Sequence, residues 1–281
     1  MKMAHVASAE QVKELREVTG AGIMDCKQAL AETNGDLEQA KDYLRKKGLA
    51  AAGKRASREA KEGIVFVECD GKKGALLELN CETDFVARTD DFQKLGQWIL
   101  SQVSAKGESA VQANDVKARI DEVGGKIGEK IAAHRAVFMT TQTGLIASYR
   151  HHNHKIGILI QFEFSKPDLS TNEEILKTAK DVAMQVAALR PQFLKSDEIP
   201  NDFLEREKAI FREQVKDKPA NVQDKIIQGK LEKRYEEICL LNQKSVVDNT
   251  KSISALIDLL GKKLGAPITI KRFSRFEIGV E

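Results

Sequence analysis

The sequence predicts an α+β protein. It reads as an N-terminal three-helix module, a duplicated core of antiparallel sheets with helices on one face of each, and a helical-hairpin arm of coiled-coil type. Three observations carry this prediction. Apolar residues recur at helical spacing through residues 6–47. From Gly63 the pattern changes to short strand-like runs, and a strand–strand–helix order begins there and again at Gly144. Residues 199–238 are highly charged with a narrow apolar seam on each of two helical stretches.

The elements follow in order. Val12, Leu15 and Val18 line one face of a first helix, which Thr19-Gly20-Ala21-Gly22 breaks. Met24, Ala29 and Leu30 carry the apolar face of a second. Asn34-Gly35-Asp36 is a turn, and Asp36 with Gln39 three residues on has capping-box spacing for a third helix. Leu37, Ala40 and Leu44 face inward there, and Gly48 is a fitting stop. The loop from Gly20 to Met24 sets Ile23 and Met24 beside glycines, as core plugs or as partner contacts. So small a module suits docking better than catalysis. The boundaries read as 1–48 for this module, 49–62 for a linker, 63–143 and 144–198 for the two core subdomains, 199–240 for the arm, and 241–281 for a return helix and strand that complete the core.

In the first core copy, Ile64–Val67 and Ala75–Leu79 form a hairpin around Asp70-Gly71-Lys72-Lys73-Gly74. A helix follows with Phe92, Leu95, Ile99 and Val103 inward, then a helical stretch around 116–133 and a short strand at 136–139. In the second copy, strands at 144–149 and 156–162 flank a turn at 150–155. Ser170-Thr171-Asn172-Glu173 reads as a capping box opening a helix that carries Ile175, Ala179, Val182, Val186 and Leu189, ended by Pro191. Phe203, Leu204, Phe211 and Val215 form one seam of the arm, and Val222, Ile227, Leu231, Tyr235 and Ile238 the other. A helix at 252–264 and strand pattern in 267–273 and 276–278 close the chain, the strand joining one of the sheets.

Composition excludes several classes. Apolar content is 42%, charged 31% and aromatic 5% over 281 residues. No apolar run approaches the ~20 residues that span a bilayer, and Met1-Lys2-Met3-Ala4-His5 has no apolar segment behind it, so a cytoplasmic protein without a membrane partner is expected. Cys26, Cys69, Cys81 and Cys239 lack paired spacing and read as reduced thiols. There is no phosphate-cradling loop, no nucleophile elbow and no zinc pattern, so no cofactor, metal or enzymatic activity is expected. The net charge of +3 demands no polyanion. The stretch Lys41–Lys61 has eight Lys or Arg against two acids, yet lacks interleaved aromatics; a solvated helix face or linker fits it better than a nucleic-acid site. His151, His152 and His154 share a hairpin turn, where exposure outweighs metal binding. Asp84 beside Glu82 and Thr83 lacks a partner base.

One loop stands out. Asn80-Cys81-Glu82-Thr83-Asp84-Phe85-Val86-Ala87-Arg88 connects a strand to a helix and holds an aromatic at a surface corner. Phe85 either plugs the core or is offered to a partner. The second copy reads Ser165-Lys166-Pro167-Asp168 at the equivalent place, and a shared scaffold with a different loop points to function in the loop.

Asn80–Ala87, with Val12–Arg16, Thr19–Lys27, Asn34-Gly35-Asp36 and Lys126-Ile127-Gly128-Glu129, resembles the motifs of the bacterial elongation factor Ts family over nearly all of the chain. That family comprises guanine nucleotide exchange factors for the GTPase elongation factor Tu. The resemblance implies a UBA-like N-terminal module and a segment, here Thr83, Asp84, Phe85 and Val86, that enters the partner near its Mg²⁺ and phosphate site. It implies contacts through Arg16, Ile23 and Met24, through Ile127 and Gly128, and through His151 to a second partner domain. It also implies an arm that self-associates. The longer, histidine-rich turn at His151 departs from the family pattern, and the extra C-terminal module of some members is expected to be missing.

Overall fold

The computed structural model describes residues 7–280. Helices α1 (Ala9–Thr19), α2 (Ile23–Glu32) and α3 (Leu37–Ala56) come first. Ser8 caps α1 in a capping box with Gln11, and the Asp36 carboxylate accepts from the Gln39 amide at 2.9 Å to start α3, as the spacing predicts. Val12, Leu15, Cys26, Ala29, Leu30 and Ala40 form their common core. Val18 departs from the expected inward face and is 62% exposed, since the module's core closes around Val12 and Leu15 of this helix. Helix α3 also runs through Gly48 rather than stopping there. A glycine costs a helix about 1 kcal/mol relative to alanine, and the following Leu-Ala-Ala-Ala favours continuation.

Strands β1 (Glu62–Cys69), β2 (Lys73–Cys81) and β3 (Ile131–Thr140) form one three-stranded antiparallel sheet in the order β1-β2-β3. Central β2 is buried from Gly74 to Cys81. It therefore buries two polar side chains. Glu78 accepts from Arg135 Nε at 2.7 Å and Asn80 Nδ2 at 3.2 Å, which offsets its desolvation. Between β2 and β3 lie α4 (Asp84–Ala87), α5 (Asp90–Lys106) and α6 (Asn114–Ile127). Helix α5 buries Phe92, Leu95, Ile99 and Val103, as its period predicts. Phe66 and Phe92 pack with ring centroids 6.3 Å apart. The expected helical stretch to 133 ends instead at Ile127, where Gly128 turns left-handed and β3 begins three residues on.

Strands β4 (Gly144–Arg150), β5 (Ile156–Phe164) and β6 (Ile268–Glu277) form the other sheet, order β4-β5-β6, antiparallel throughout. The C-terminal strand thus pairs with β5, placing Ile160 opposite both Ala147 and Phe273. Helices α7 (Glu173–Leu189) and α10 (Ile253–Leu264) contribute Val182, Val186 and Ile257 to its core with Ile158, Ile160 and Phe162. The α7 cap is Asn172, not Ser170: Pro167 opens a 3₁₀ turn that takes up 167–171, leaving Asn172 extended to accept from the Glu174 and Ile175 amides. Helices α8 (Asn201–Val215) and α9 (Ala220–Ile238) form the arm, closed by Phe211, Val215, Ile227 and Leu231. The described residues divide into two compact units, one of 7–66, 77–136 and 278–280, the other of 67–76 and 137–277.

Candidate partner interface at Thr83 to Val86

Strand β2 leaves the core through buried Cys81 and turns at Glu82 and Thr83. Thr83 is extended and caps the single turn α4, its hydroxyl accepting from the Val86 amide at 3.3 Å. Successive helical side chains point about 100° apart. Burying Val86 and Ala87, at 7% and 5% exposure, therefore turns Phe85 outward, and it is 77% exposed. The far side is held by Thr89, whose hydroxyl donates to the Val86 carbonyl, and by Gln93, whose amide donates to the Ala87 carbonyl, both at 2.8 Å. Asp84 pairs with Arg88 at 2.6 Å on the surface, a contact of small energetic weight. Phe85 is thus no core plug; it is an exposed aromatic on a firmly seated turn.

The other residues singled out in this unit gather on the same frame. Gly128 takes φ 88° as the C-cap of α6 and is exposed, with Ile127 half-buried beside it. The next residue, Glu129, accepts from both the amide and the hydroxyl of Thr83, at 3.0 and 2.8 Å. Glu82 in turn accepts from the Lys130 amide at 2.6 Å, and this bond, with help from Arg58, holds the Glu82 carboxyl below its ordinary range. On the other side of Gly128, Lys126 pairs with Asp91 at 2.8 Å. Its aliphatic stem lies where a Cβ on Gly20 would come within 3.3 Å, so the α1–α2 turn rests on the end of α6. That turn leads to Ile23 and Met24, 48% and 74% exposed, with exposed Arg16 on α1. Val18, also exposed, adds an apolar side chain that its helical spacing had assigned to the core. Glu129 is the residue sequence reasoning missed: it lies inside the Lys126–Glu129 motif, but no local pattern ties it to Thr83.

His151 lies in the other unit, in the β4–β5 turn. It is half-buried, with Nδ1 2.9 Å from the Tyr149 hydroxyl. The His151 and His152 rings lie 4.2 Å apart, and His154 takes φ 59°. Burial, then the charge of Arg150, lowers the His154 pKa. Among the described residues, no group of three His, Cys, Asp or Glu side chains converges as metal ligands would, and no helix is long and apolar enough to cross a membrane.

Beneath the site, the Cys81 thiol donates to the Thr83 carbonyl at 3.1 Å. Burial, reinforced by the charges of Glu129 and Glu62, pushes its pKa up to about 12; burial takes Cys239 to about 11. Because the folded values are raised, these thiols favour the folded state below their unfolded pKa. That contribution declines as pH rises from about 9 toward the folded values. Cys81, Cys239 and buried Cys26 should therefore resist an aromatic disulfide reagent at pH 8 in the native protein, while denaturant should release all four thiols, as absorbance titration would count.

Comparison with known proteins places the chain in a family. The family model described as elongation factor TS matches residues 82–280, a stretch that includes α4 and Glu129. Elongation factor Ts of Aquifex aeolicus is 43% identical over 99% of both chains. That of Trichlorobacter lovleyi is 42% identical over 97% of this chain and 92% of its own, and that of Hydrogenobaculum sp. 44% over 97% and 98%. With its motif loop presented as an exposed aromatic turn and its relatives matched end to end, the chain belongs to the elongation factor Ts family of nucleotide exchange factors, which act on elongation factor Tu in translation elongation and are not enzymes.

Proposed function

We propose that Thr83, Asp84, Phe85 and Val86 are the segment with which this chain opens the nucleotide site of elongation factor Tu, disturbing its Mg²⁺ and phosphate contacts. The observation that carries this reading is Phe85 itself, exposed on a turn whose next two residues are buried. A rigid aromatic can enter a partner with little ordering cost, the usual property of an interface anchor. Arg16, Ile23 and Met24 act as a first docking surface, Ile127 and Gly128 as a second, and His151 as a contact to another partner domain. Disturbing Mg²⁺ is an effective lever because the cation is the main partner of the phosphate charges. Linkage is reciprocal: a factor that weakens GDP binding is itself weakened by GDP to the same extent, so it is expelled when nucleotide returns. The site of action is the cytoplasm. The reading is tested by GDP release from purified elongation factor Tu with and without this protein; no acceleration overturns it.

The α8–α9 arm serves self-association in this reading. Its exposed Ile210, 52% accessible on an otherwise charged hairpin, supports that role. Sedimentation should then show a dimer that Ile210→Asp weakens. A nucleic-acid role for 41–61 has less support, since Lys41, Lys47, Arg58 and Lys61 each sit in an ion pair.

A further inference from the structure

A single helical turn does not persist by itself. Nucleation is unfavourable, and short isolated helices are marginal in water. Yet the turn Asp84–Ala87 must hold Phe85 outward against the pull of its own core. What fixes the start of that turn comes from 46 residues further along the chain, in the carboxylate of Glu129.

The geometry is specific. The Thr83 amide donates to Glu129 Oε2 and the Thr83 hydroxyl donates to Oε1, so both donors of one residue are taken by one carboxylate. With its proton committed to Glu129, the hydroxyl has a lone pair left for the Val86 amide. A donor held by a charged acceptor is itself a better acceptor, so the clamp strengthens the cap it precedes. The neighbouring pair repeats the arrangement in reverse, with the Glu82 side chain accepting from the Lys130 backbone. Segments 82–83 and 129–130 are thereby stitched by reciprocal carboxylate-to-backbone bonds. Arg58 adds a bridge, donating to Glu82 Oε1 at 3.2 Å and to the Gly128 carbonyl at 3.3 Å. Lys130 Nζ donates to the Ala56 and Arg58 carbonyls at 2.8 and 2.7 Å, tying in the end of α3. The turn that shows Phe85, the cap that shows Gly128 and the end of the third N-terminal helix are thus fixed to one another by bonds within the chain.

We propose that Glu129 is a positioning residue for nucleotide exchange: its carboxylate clamps Thr83 so that Phe85 is presented already ordered. The proposal rests on the reading of Phe85 as the inserted side chain. Without the clamp, the ordering of the turn is charged to the encounter with the partner, and it is charged most where insertion is deepest, in the nucleotide-free complex.

The test is a cycle of full-length variants assayed by GDP release from elongation factor Tu at saturating factor, with thermal melting recorded for each. Glu129→Ala is expected to slow stimulated release about tenfold, less than the ~10²-fold that a 1 Å misplacement of reacting groups can cost. Glu129→Gln keeps one acceptor oxygen and should fall between. A role confined to folding would change melting and leave release per folded molecule unaltered. The decisive arm is the Phe85→Ala background. A positioning role acts through Phe85, so there Glu129→Ala should cost less than about twofold, whereas independent effects multiply. If Glu129→Ala melts below the assay temperature, Thr83→Val removes the hydroxyl leg of the clamp together with the cap on the Val86 amide, and should show the same dependence on Phe85. Full activity in the clamp variants, or multiplicative losses, overturns the proposal, whereas no loss in Phe85→Ala overturns the reading of Phe85 beneath it. A wild-type protein that fails to accelerate release overturns instead the exchange reading on which it stands.

Discussion

Phe85→Ala is expected to lower the stimulated rate of GDP release by one to two orders of magnitude while moving the melting temperature by no more than about 2 °C. The asymmetry follows from exposure. Phe85 is 77% accessible, so its ring contributes little apolar burial to the fold. Substitutions at such positions usually stay within about 0.5 kcal/mol. A central aromatic anchor in an interface, by contrast, commonly costs about 2 kcal/mol or more when truncated, and about 1.4 kcal/mol corresponds to tenfold. Asp84→Ala should also slow release, more weakly, since it removes the pairing with Arg88 and the acidic residue at the helix start without removing the ring. Stopped-flow release of a fluorescent GDP analogue from elongation factor Tu, beside calorimetric melting, measures both quantities. A melting temperature that falls by many degrees in Phe85→Ala would mean the ring is seated in the core after all.

Gly63→Ala is expected to produce a large loss of stability. Gly63 has φ 146°, a conformation that side chains rarely adopt. A Cβ there would meet the Leu79 carbonyl oxygen at 2.2 Å and the Asn80 Cα at 2.8 Å. Both are backbone atoms of buried β2, so no side-chain rotation relieves the clash. The sheet must part at the place where β2 leads into the Thr83 turn. A cost of about 3 kcal/mol or more, in a chain of this size, corresponds to a fall of roughly 6–12 °C in melting temperature. Trp98, the only tryptophan and half-buried on α5, reports unfolding of the same unit by its fluorescence. Gly229→Ala is the control: it lies within α9 with nothing near the added Cβ, so helix propensity should leave the protein unchanged or slightly firmer.

What the sequence determined by itself was local. The Asp36–Gln39 cap, the apolar face of α5, that of α7 as far as Val186, the two hairpins and the seam of the arm follow from spacings of two to four residues, and the structure keeps them; Leu189, expected inward at the end of α7, is 44% exposed in its last turn. The oddity of an aromatic in the Asn80–Arg88 loop was equally legible, as was its missing counterpart in the second copy. Tertiary structure decided the rest. It left Val18 in solvent, whereas the run of α3 past Gly48, the end of α6 at Gly128 and the α7 cap at Asn172 trace to neighbouring residues that periodicity passes over. It also coiled Asp84–Ala87 into a turn and set Glu129 against Thr83. Periodicity and capping are energies between near neighbours along the chain. Whether Phe85 is buried or shown depends on bonds made across the sheet by residues that meet only once the chain has folded.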